Sequence, residues 1–359
     1  MDIRRWRGAG RAAPPSVGIL DKGGAGSVPP SAAVRVHRRV RNSPPGDVRF
    51  TRLDPAAYLA GGAEPLEVLL VVRDAVPADL LGDVLRRTDR EGSRLVVDVD
   101  DDLVSPQAVS RLAAQGYDPD RLRAFRTLLA RADQVTVSTV HLAEVLRAHT
   151  EVRTAVVVPN ELDPRLWAGE DRGAPALEVS PVDEVRLLYM GSKTHRDDLE
   201  LVRDVPRDLG RRLGCAVMLE VVGITGDPLP DGTRRLVPDR TNYAGFARWL
   251  RRNRGRWQAA VAPLVDTGFN LSKSDLKLLE YAALELGTVA SPVGPYAGAD
   301  PVLGRTADGT SAWVDSLEQV VDERRRNGPA VAAASWVAEH RTMTDRSLAR
   351  WRRTVLGAD

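Results

Sequence analysis

Cysteine and lysine are nearly missing from this 359-residue chain, and each shortage excludes something. The single cysteine, Cys215, cannot close an internal disulfide. Set in the apolar run CAVMLEVV, it reads as a small buried residue and suits a reducing cytoplasm. No run approaches the ~20 apolar residues of a membrane helix. The opening MDIRRWRGAGRAAPP has arginines but no apolar stretch of about 7 to 15 residues behind them, so it is not read as a signal peptide. Residues 1–15 are expected to form a flexible tail. Lysine occurs only at 22, 193, 273 and 277, and the other 47 of the 51 basic residues are arginine. That bias matches GC-rich coding and argues only weakly for nucleic-acid binding. With 49 acidic residues and a net charge of +2, no global field draws the chain to a polyanion. Where lysine persists against the bias, a local chemical reason is expected, and each one lies near a glycine or an expected helix start.

Short β-branched runs alternate with helix-length amphipathic segments. Strands are expected at 16–20, 66–72, 93–99, 134–138 and 154–159, then at 185–190, 215–223, 257–264 and 287–293. Their continuous apolar character is that of strands buried on both faces of a parallel sheet. Helices are expected at 31–40, 77–89, 106–131, 139–148, 196–213, 242–253, 273–286, 314–326, 329–340 and 344–355. The segment DPRLWAGEDRGAPALEVSPVDE reads as a linker. The pattern predicts an α/β protein of two Rossmann-like, doubly wound domains, at 16–165 and 183–340, with a linker at 166–182 and a C-terminal helix at 341–359. Trp336 and Trp351, on the last helical segments, read as packing anchors.

Ligands of open α/β sheets bind beyond the carboxyl ends of strands, and four such places carry chemistry. In VGILDKGGAGSVPP, Gly23, Gly24 and Gly26 would let backbone N–H groups approach an anion or sugar, without the spacing of a dinucleotide fingerprint. In RLVVDVDDDLV, Asp98, Asp100, Asp101 and Asp102 crowd one strand end, where like charges need a cation, a proton or a polar substrate to offset them. This cluster reads as a DxD metal site, as carboxylates that grip hydroxyls or take a proton from them, or as a solvated strand end with Asp102 capping a turn. In LLYMGSKTHRDDLELV, Gly191 permits a tight turn, and Ser192, Lys193, His195 and Arg196 precede a helix, a ready anion site. In NLSKSDLKLLEY, Ser272 and Asp275 form a capping box that predicts a helix start at Ser272 or Lys273. Lys273, Lys277 and Glu280 then share one helix face. Lysine at a helix N-terminus opposes the dipole, so Lys273 is explained better by an anionic ligand than by stability.

At these residues the chain resembles a family. GSKTHRDDL, followed by FNLSKSDLKLLEYAALELGTVASPVGPY, is similar to the donor-binding domain of retaining GT-B glycosyltransferases of families 1 and 4. LVVDVDDDL and VVVPNELD look like N-domain and hinge segments of relatives in polysaccharide assembly. The resemblance implies two Rossmann-like domains facing a cleft, with an acceptor-side N-terminal domain and a nucleotide-sugar-binding C-terminal one. It further implies that Glu280 binds the donor ribose, and that Lys273, Ser274, Lys277 and the loop Gly191 to Arg196 hold the diphosphate. Two departures stand out. Ser272 replaces a second glutamate that touches the sugar in many relatives, and Glu285 and Gly287 replace an expected Gly and Pro, which predicts a rearranged turn after the helix.

The sequence therefore points to a cytoplasmic glycosyltransferase that moves a sugar from a nucleoside-diphosphate sugar to a hydroxyl acceptor, with retention and without a metal or cofactor. Asp100, Asp101 and His195 are its candidate catalytic residues, and domain closure about residues 159–163 would exclude water. Three other readings stay open. One is a metal-dependent GT-A enzyme using Asp98 and Asp100. Another is a GT-B enzyme acting on a modified DNA base, suggested by RWLRRNRGRW, where arginines interleave with Trp249 and Trp257. The third is a non-catalytic nucleotide-sugar-binding protein.

Overall fold

The structure, a computed structural model, describes residues 13–23, 27–60, 64–168, 184–191, 196–223, 229–240 and 242–358. It divides the chain into two compact units, Met1–Pro159 with Met343–Asp359, and Asn160–Thr342. The expected boundary at 165 thus moves to 159, and the last helix, Asp345–Leu356, belongs to the first unit. Packing explains the return. Trp351 is buried and stacks on Phe50 with ring centres 5.7 Å apart, and Val355 joins the same core.

The first unit holds a parallel sheet of β1 (Ser16–Leu20), β2 (Arg49–Leu53), β3 (Val68–Val72), β4 (Arg94–Val99), β5 (Gln134–Val137) and β6 (Ala155–Val157). Their order is β2-β1-β3-β4-β5-β6. Apolar residues alternate to its two faces, with Leu69, Val71 and Val97 on one and Val17, Ile19, Leu70 and Val96 on the other. The second unit holds β7 (Glu184–Met190), β8 (Ala216–Val222), β9 (Thr233–Leu236), β10 (Ala259–Ala262), β11 (Thr288–Ala290) and β12 (Arg305–Thr306). They run β12-β11-β10-β7-β8-β9, again all parallel. This is the Rossmann order, with its switch point between β7 and β10. In the first sheet the order reverses between β1 and β3.

The nine expected strands all form. The three that apolar runs did not reveal, β2, β9 and β12, are edge strands with arginines and exposed positions, because an edge needs no second apolar face. The single helix expected over 106–131 breaks at Gly116, in the left-handed region at φ 78, into Pro106–Ala114 and Pro119–Arg131. The Ser105 and Asp118 side chains cap the two pieces. The helix expected at 31–40 is three abutting pieces, Pro30–Ala32, Ala33–His37 and Arg38–Asn42, the middle one wound as a π-helix. The expected helix 196–213 divides into Arg196–Glu200 and Val205–Leu213. Among the described residues no helix is long and apolar enough to cross a membrane.

Candidate functional site

In the second unit the switch point positions the donor-side candidates. Gly191 follows β7, its N–H donating to the Val222 carbonyl at 3.0 Å, and a Cβ on Gly223 would collide with the Gly191 carbonyl. Beside it, buried Asp198 accepts the Val265 N–H at 2.9 Å, tying the segment after β7 to the loop after β10. Ser192, Lys193 and His195 lie outside the described residues, as does the side chain of Arg196, whose backbone opens the helix Arg196–Glu200.

The lysine-bearing helix starts later than the capping box predicts. It spans Leu276–Ala283, and a separate short helix, Gly268–Leu271, precedes it. Asp275 occupies the N-cap position without a side-chain cap because Arg341 takes both its oxygens, one at 2.8 Å. The Ser274 hydroxyl accepts from the Asn160 side chain at 2.7 Å, and Ser272 is fully buried. Lys273 lies 4.8 Å from the centre of the Phe269 ring. The Lys277 ammonium lies 4.6 Å from the centre of the Tyr189 ring, is closed off from solvent, and has no hydrogen-bond partner among the described residues. Burial lowers Lys277 to about 8 and Lys273 adds to this, while Asp198 and Glu280 oppose it. One turn on, Glu280 is buried and accepts from the Tyr243 hydroxyl at 2.8 Å. Burial pushes its carboxyl up to about 7 against that bond and the Lys277 charge. The next residue, Tyr281, accepts the Met190 N–H at 2.8 Å and donates to the Val261 carbonyl at 3.1 Å, locking the helix to β7 and β10. An unpaired, dehydrated ammonium beside a carboxyl of raised pKa is poised for a ligand with an anionic group and hydroxyl donors.

The turn after this helix does not lose its left-handed residue. Glu285 takes φ 57, a conformation that glycine adopts without strain.

In the first unit the aspartate cluster divides by role. Asp98 is buried and bound by both Nε and Nη2 of Arg35 at 2.9 Å, with the Thr136 hydroxyl at 2.6 Å. That engagement contradicts the DxD metal reading, which needs Asp98 to face an ion. Among the described residues no group of three His, Cys, Asp or Glu side chains could hold a metal. Asp102 accepts the Val104 and Ser105 N–H groups, each at 2.9 Å, and so caps the turn. Asp100 and Asp101 remain at the end of β4, 3.4 Å and 3.1 Å from Arg73 Nη1. Burial and the neighbouring Asp101 and Asp98 push Asp100 up to about 6, against Arg73 and Arg35. Arg73 itself sits at φ 55, a strained position for a non-glycine residue at the end of β3.

The glycine-rich loop does not offer Gly23 as a ligand donor. Its N–H donates to Asp21 at 2.7 Å, and Asp21 is clamped by Arg52 at 2.7 and 2.8 Å and contacts His37. Gly24 and Gly26 lie outside the described residues. Lys22 pairs instead with buried Asp74, which also accepts from Tyr117. Sequence reasoning missed Arg73, Asp74, Tyr117, Trp167 and Tyr243, because their partners lie 27 to 95 residues away and no spacing rule links them.

The tryptophans of the arginine and tryptophan segment are interior, although Arg248 is exposed. Arg251, Arg256, Trp249 and Trp257 are buried, and Arg256 and the Trp257 indole donate to the buried Glu220 carboxylate, the indole at 2.9 Å. The segment therefore presents no aromatic and basic surface to DNA.

No protein-family model matches the chain. No curated protein matches it either. Solved structures do. A sucrose-phosphate synthase of Thermosynechococcus elongatus is similar with a TM-score of 0.66 and 15% identity over 96% of this chain and 100% of that one. The chain has the GT-B fold. HepE of Anabaena in complex with UDP gives 0.60 and 10% over 96% and 100%, and S. aureus TarM, also with UDP, gives 0.57 and 12% over 84% and 58%. GT-B architecture excludes the single-domain GT-A alternative.

Proposed function

We propose that the chain is a glycosyltransferase that moves a sugar from a uridine diphosphate sugar to a hydroxyl of a glycan, lipid-linked glycan or small molecule, with retention and without a metal. The observation that carries this reading is the dehydrated Lys277 ammonium, without a hydrogen-bond partner among the described residues, one turn from Glu280, at the switch point of a GT-B second unit. Solved neighbours bound to UDP or UDP-glucose support the choice of nucleotide.

In this reading the bond from the sugar C1 to the diphosphate oxygen breaks, its electron pair leaves with the diphosphate, and the acceptor oxygen bonds C1 and loses its proton. Lys277, Lys273, Ser274 and the Gly191 to Arg196 loop stabilise the charge growing on the leaving group, which is the largest catalytic effect in such sites and requires no metal. Glu280 accepts from the ribose hydroxyls. In the first unit, Asp100 and Asp101 accept from the hydroxyls of the acceptor or sugar, and Arg73 keeps the pair in place. Ser272, fully buried where many relatives carry a sugar-contacting glutamate, favours a non-catalytic nucleotide-sugar binder as the second reading.

Thermal unfolding with UDP, UDP-glucose and other nucleoside diphosphates, with and without EDTA, tests the proposal. A ligand at 100 times its dissociation constant adds about 2.7 kcal/mol. The expected result is a shift with UDP that survives EDTA, together with release of UDP from a UDP-sugar. A shift lost with EDTA would remove metal independence. Binding without any turnover would favour the second reading, and no shift with any nucleotide would sink both.

A further inference from the structure

The only hydrogen bond to the Glu280 side chain among the described residues comes from Tyr243, which begins the helix Tyr243–Arg252. The Tyr243 hydroxyl in turn accepts from the Trp167 indole N–H at 3.2 Å. Trp167 ends the short helix Pro164–Trp167, which is held by the Asp163 cap and by Arg251 donating to the Leu166 carbonyl at 2.6 Å. All three side chains are less than 10% exposed: Trp167 6%, Tyr243 8% and Glu280 7%.

The direction of this chain is set by chemistry. An indole N–H can only donate, so the Tyr243 oxygen receives there and its single proton is left for Glu280 Oε1. A carboxylate held by one oxygen cannot turn freely, and its other oxygen, Oε2, carries no hydrogen bond among the described residues. A bond to the charged form also favours ionisation, opposing the burial of the carboxyl. A fixed, ionised acceptor discriminates by hydroxyl donors, because a ligand lacking the hydroxyl leaves a buried acceptor unmet.

We infer that Trp167 and Tyr243 form a positioning relay that orients Glu280 toward the ribose 2′- and 3′-hydroxyls, so that the site selects ribonucleoside over 2′-deoxyribonucleoside diphosphates. The inference rests on the proposed nucleotide site. The Tyr243 hydroxyl touches no substrate in this scheme, and it acts through the carboxylate.

The test is calorimetric affinity for UDP and 2′-deoxy-UDP in the wild-type protein and in Tyr243→Phe, Trp167→Phe and Glu280→Gln. Each variant is first checked by thermal unfolding. Wild type should favour UDP by about tenfold or more, since a site built for a hydroxyl penalises its loss. Glu280→Gln should bring that ratio close to one. Tyr243→Phe should reduce it at least about threefold while 2′-deoxy-UDP binds as before, and Trp167→Phe should fall between Tyr243→Phe and wild type. A merely structural tyrosine would weaken both nucleotides alike, so the ratio separates positioning from folding. A wild-type ratio in Tyr243→Phe, with the ratio lost in Glu280→Gln, would overturn the relay and leave the ribose assignment standing. Failure of wild type to bind either nucleotide would instead overturn the nucleotide site itself, and the relay with it.

Discussion

Lys277 holds its ammonium 4.6 Å from the centre of the Tyr189 ring, enclosed and without a hydrogen bond among the described residues. The ring face recovers part of the lost hydration through a cation–π contact, about 0.5–2 kcal/mol, and the rest remains as destabilisation. Replacing Lys277 by Met keeps a flexible chain of similar volume and removes the buried charge. Lys277→Met should therefore raise the melting temperature of the ligand-free protein, by about 1 kcal/mol of stability, and abolish the shift produced by UDP. Scanning calorimetry with and without UDP reads both effects. A variant that melts lower than wild type and still responds to UDP would contradict the assignment.

The same pair sets a pH window. Glu280 is pushed up to about 7 from 4.5, so the folded state binds its proton more tightly and the resulting stability is lost between pH 4.5 and 7. Lys277 is lowered to about 8 from 10.5, so holding its proton disfavours folding below pH 8 and the penalty is relieved as pH rises to 10.5. As far as these groups decide it, the ligand-free protein is least stable between pH 7 and 8, where both are charged. UDP needs both charges, so its affinity should peak in that window. Above it, affinity should fall toward about tenfold per pH unit as Lys277 deprotonates. Calorimetric titration from pH 5 to 10 measures the bell, and a flat profile would remove Lys277 and Glu280 from the site.

How far this site was legible follows from how each residue is held. Lys277 and Glu280 were visible because helix spacing places them together and lysine is scarce, whereas Lys273 lies ahead of the helix Leu276–Ala283 and not on the expected shared face. Tyr243 and Trp167 were not, because their link to Glu280 spans 37 and 113 residues and exists only after the helices pack. The aspartate run was visible as a cluster, with a turn cap among the readings of Asp102, which the fold shows. The fold alone shows Arg35 taking Asp98 and Arg73 facing the remaining two. The sheets were legible wherever a strand is buried on both faces. The C-terminal helix was placed along the chain but set apart from both domains, since burial of Trp351 does not name its partner in the first unit.

Arg73 opposes both the burial of Asp100 and the repulsion from Asp101 that together hold Asp100 at about 6. Removing the guanidinium removes the closest opposite charge. Arg73→Met should move the Asp100 titration upward by about one pH unit or more, while Arg73→Lys should recover part of the difference. Carboxyl-carbon NMR of labelled aspartate follows this without an acceptor in hand. If the proposed acceptor role holds, the acid limb of sugar transfer in Arg73→Met should move to higher pH in step. An unmoved Asp100 titration would show that Arg73 does not govern it.

Glu220 is fully buried, with Arg256 and the Trp257 indole as hydrogen-bond donors, the indole at 2.9 Å. Breaking such a pair from one side leaves a charge in the core and costs about 3–5 kcal/mol. Arg256→Ala should thus destabilise the second unit severely, seen as a low-temperature melting transition. A surface role in binding DNA would give the opposite outcome, normal melting with weaker and less salt-sensitive DNA binding.

Glu285 follows the helix Leu276–Ala283 at φ 57, and its carbonyl accepts the Ala330 N–H at 3.0 Å and Arg324 Nη1 at 3.1 Å. Those bonds belong to the backbone and survive a change of side chain. A left-handed L-residue costs about 1–2 kcal/mol, while glycine escapes that strain and loses about 0.5–1 kcal/mol through the freedom of its unfolded chain. Glu285→Gly should accordingly raise stability slightly, by about 0.5 kcal/mol. Glu285→Val should lower it by about 1 kcal/mol or more, because a β-branched side chain tolerates this region least. Urea unfolding of both variants gives the order directly, glycine above glutamate above valine. The reverse order would mean that the glutamate side chain, and not the backbone conformation, decides what this turn accepts.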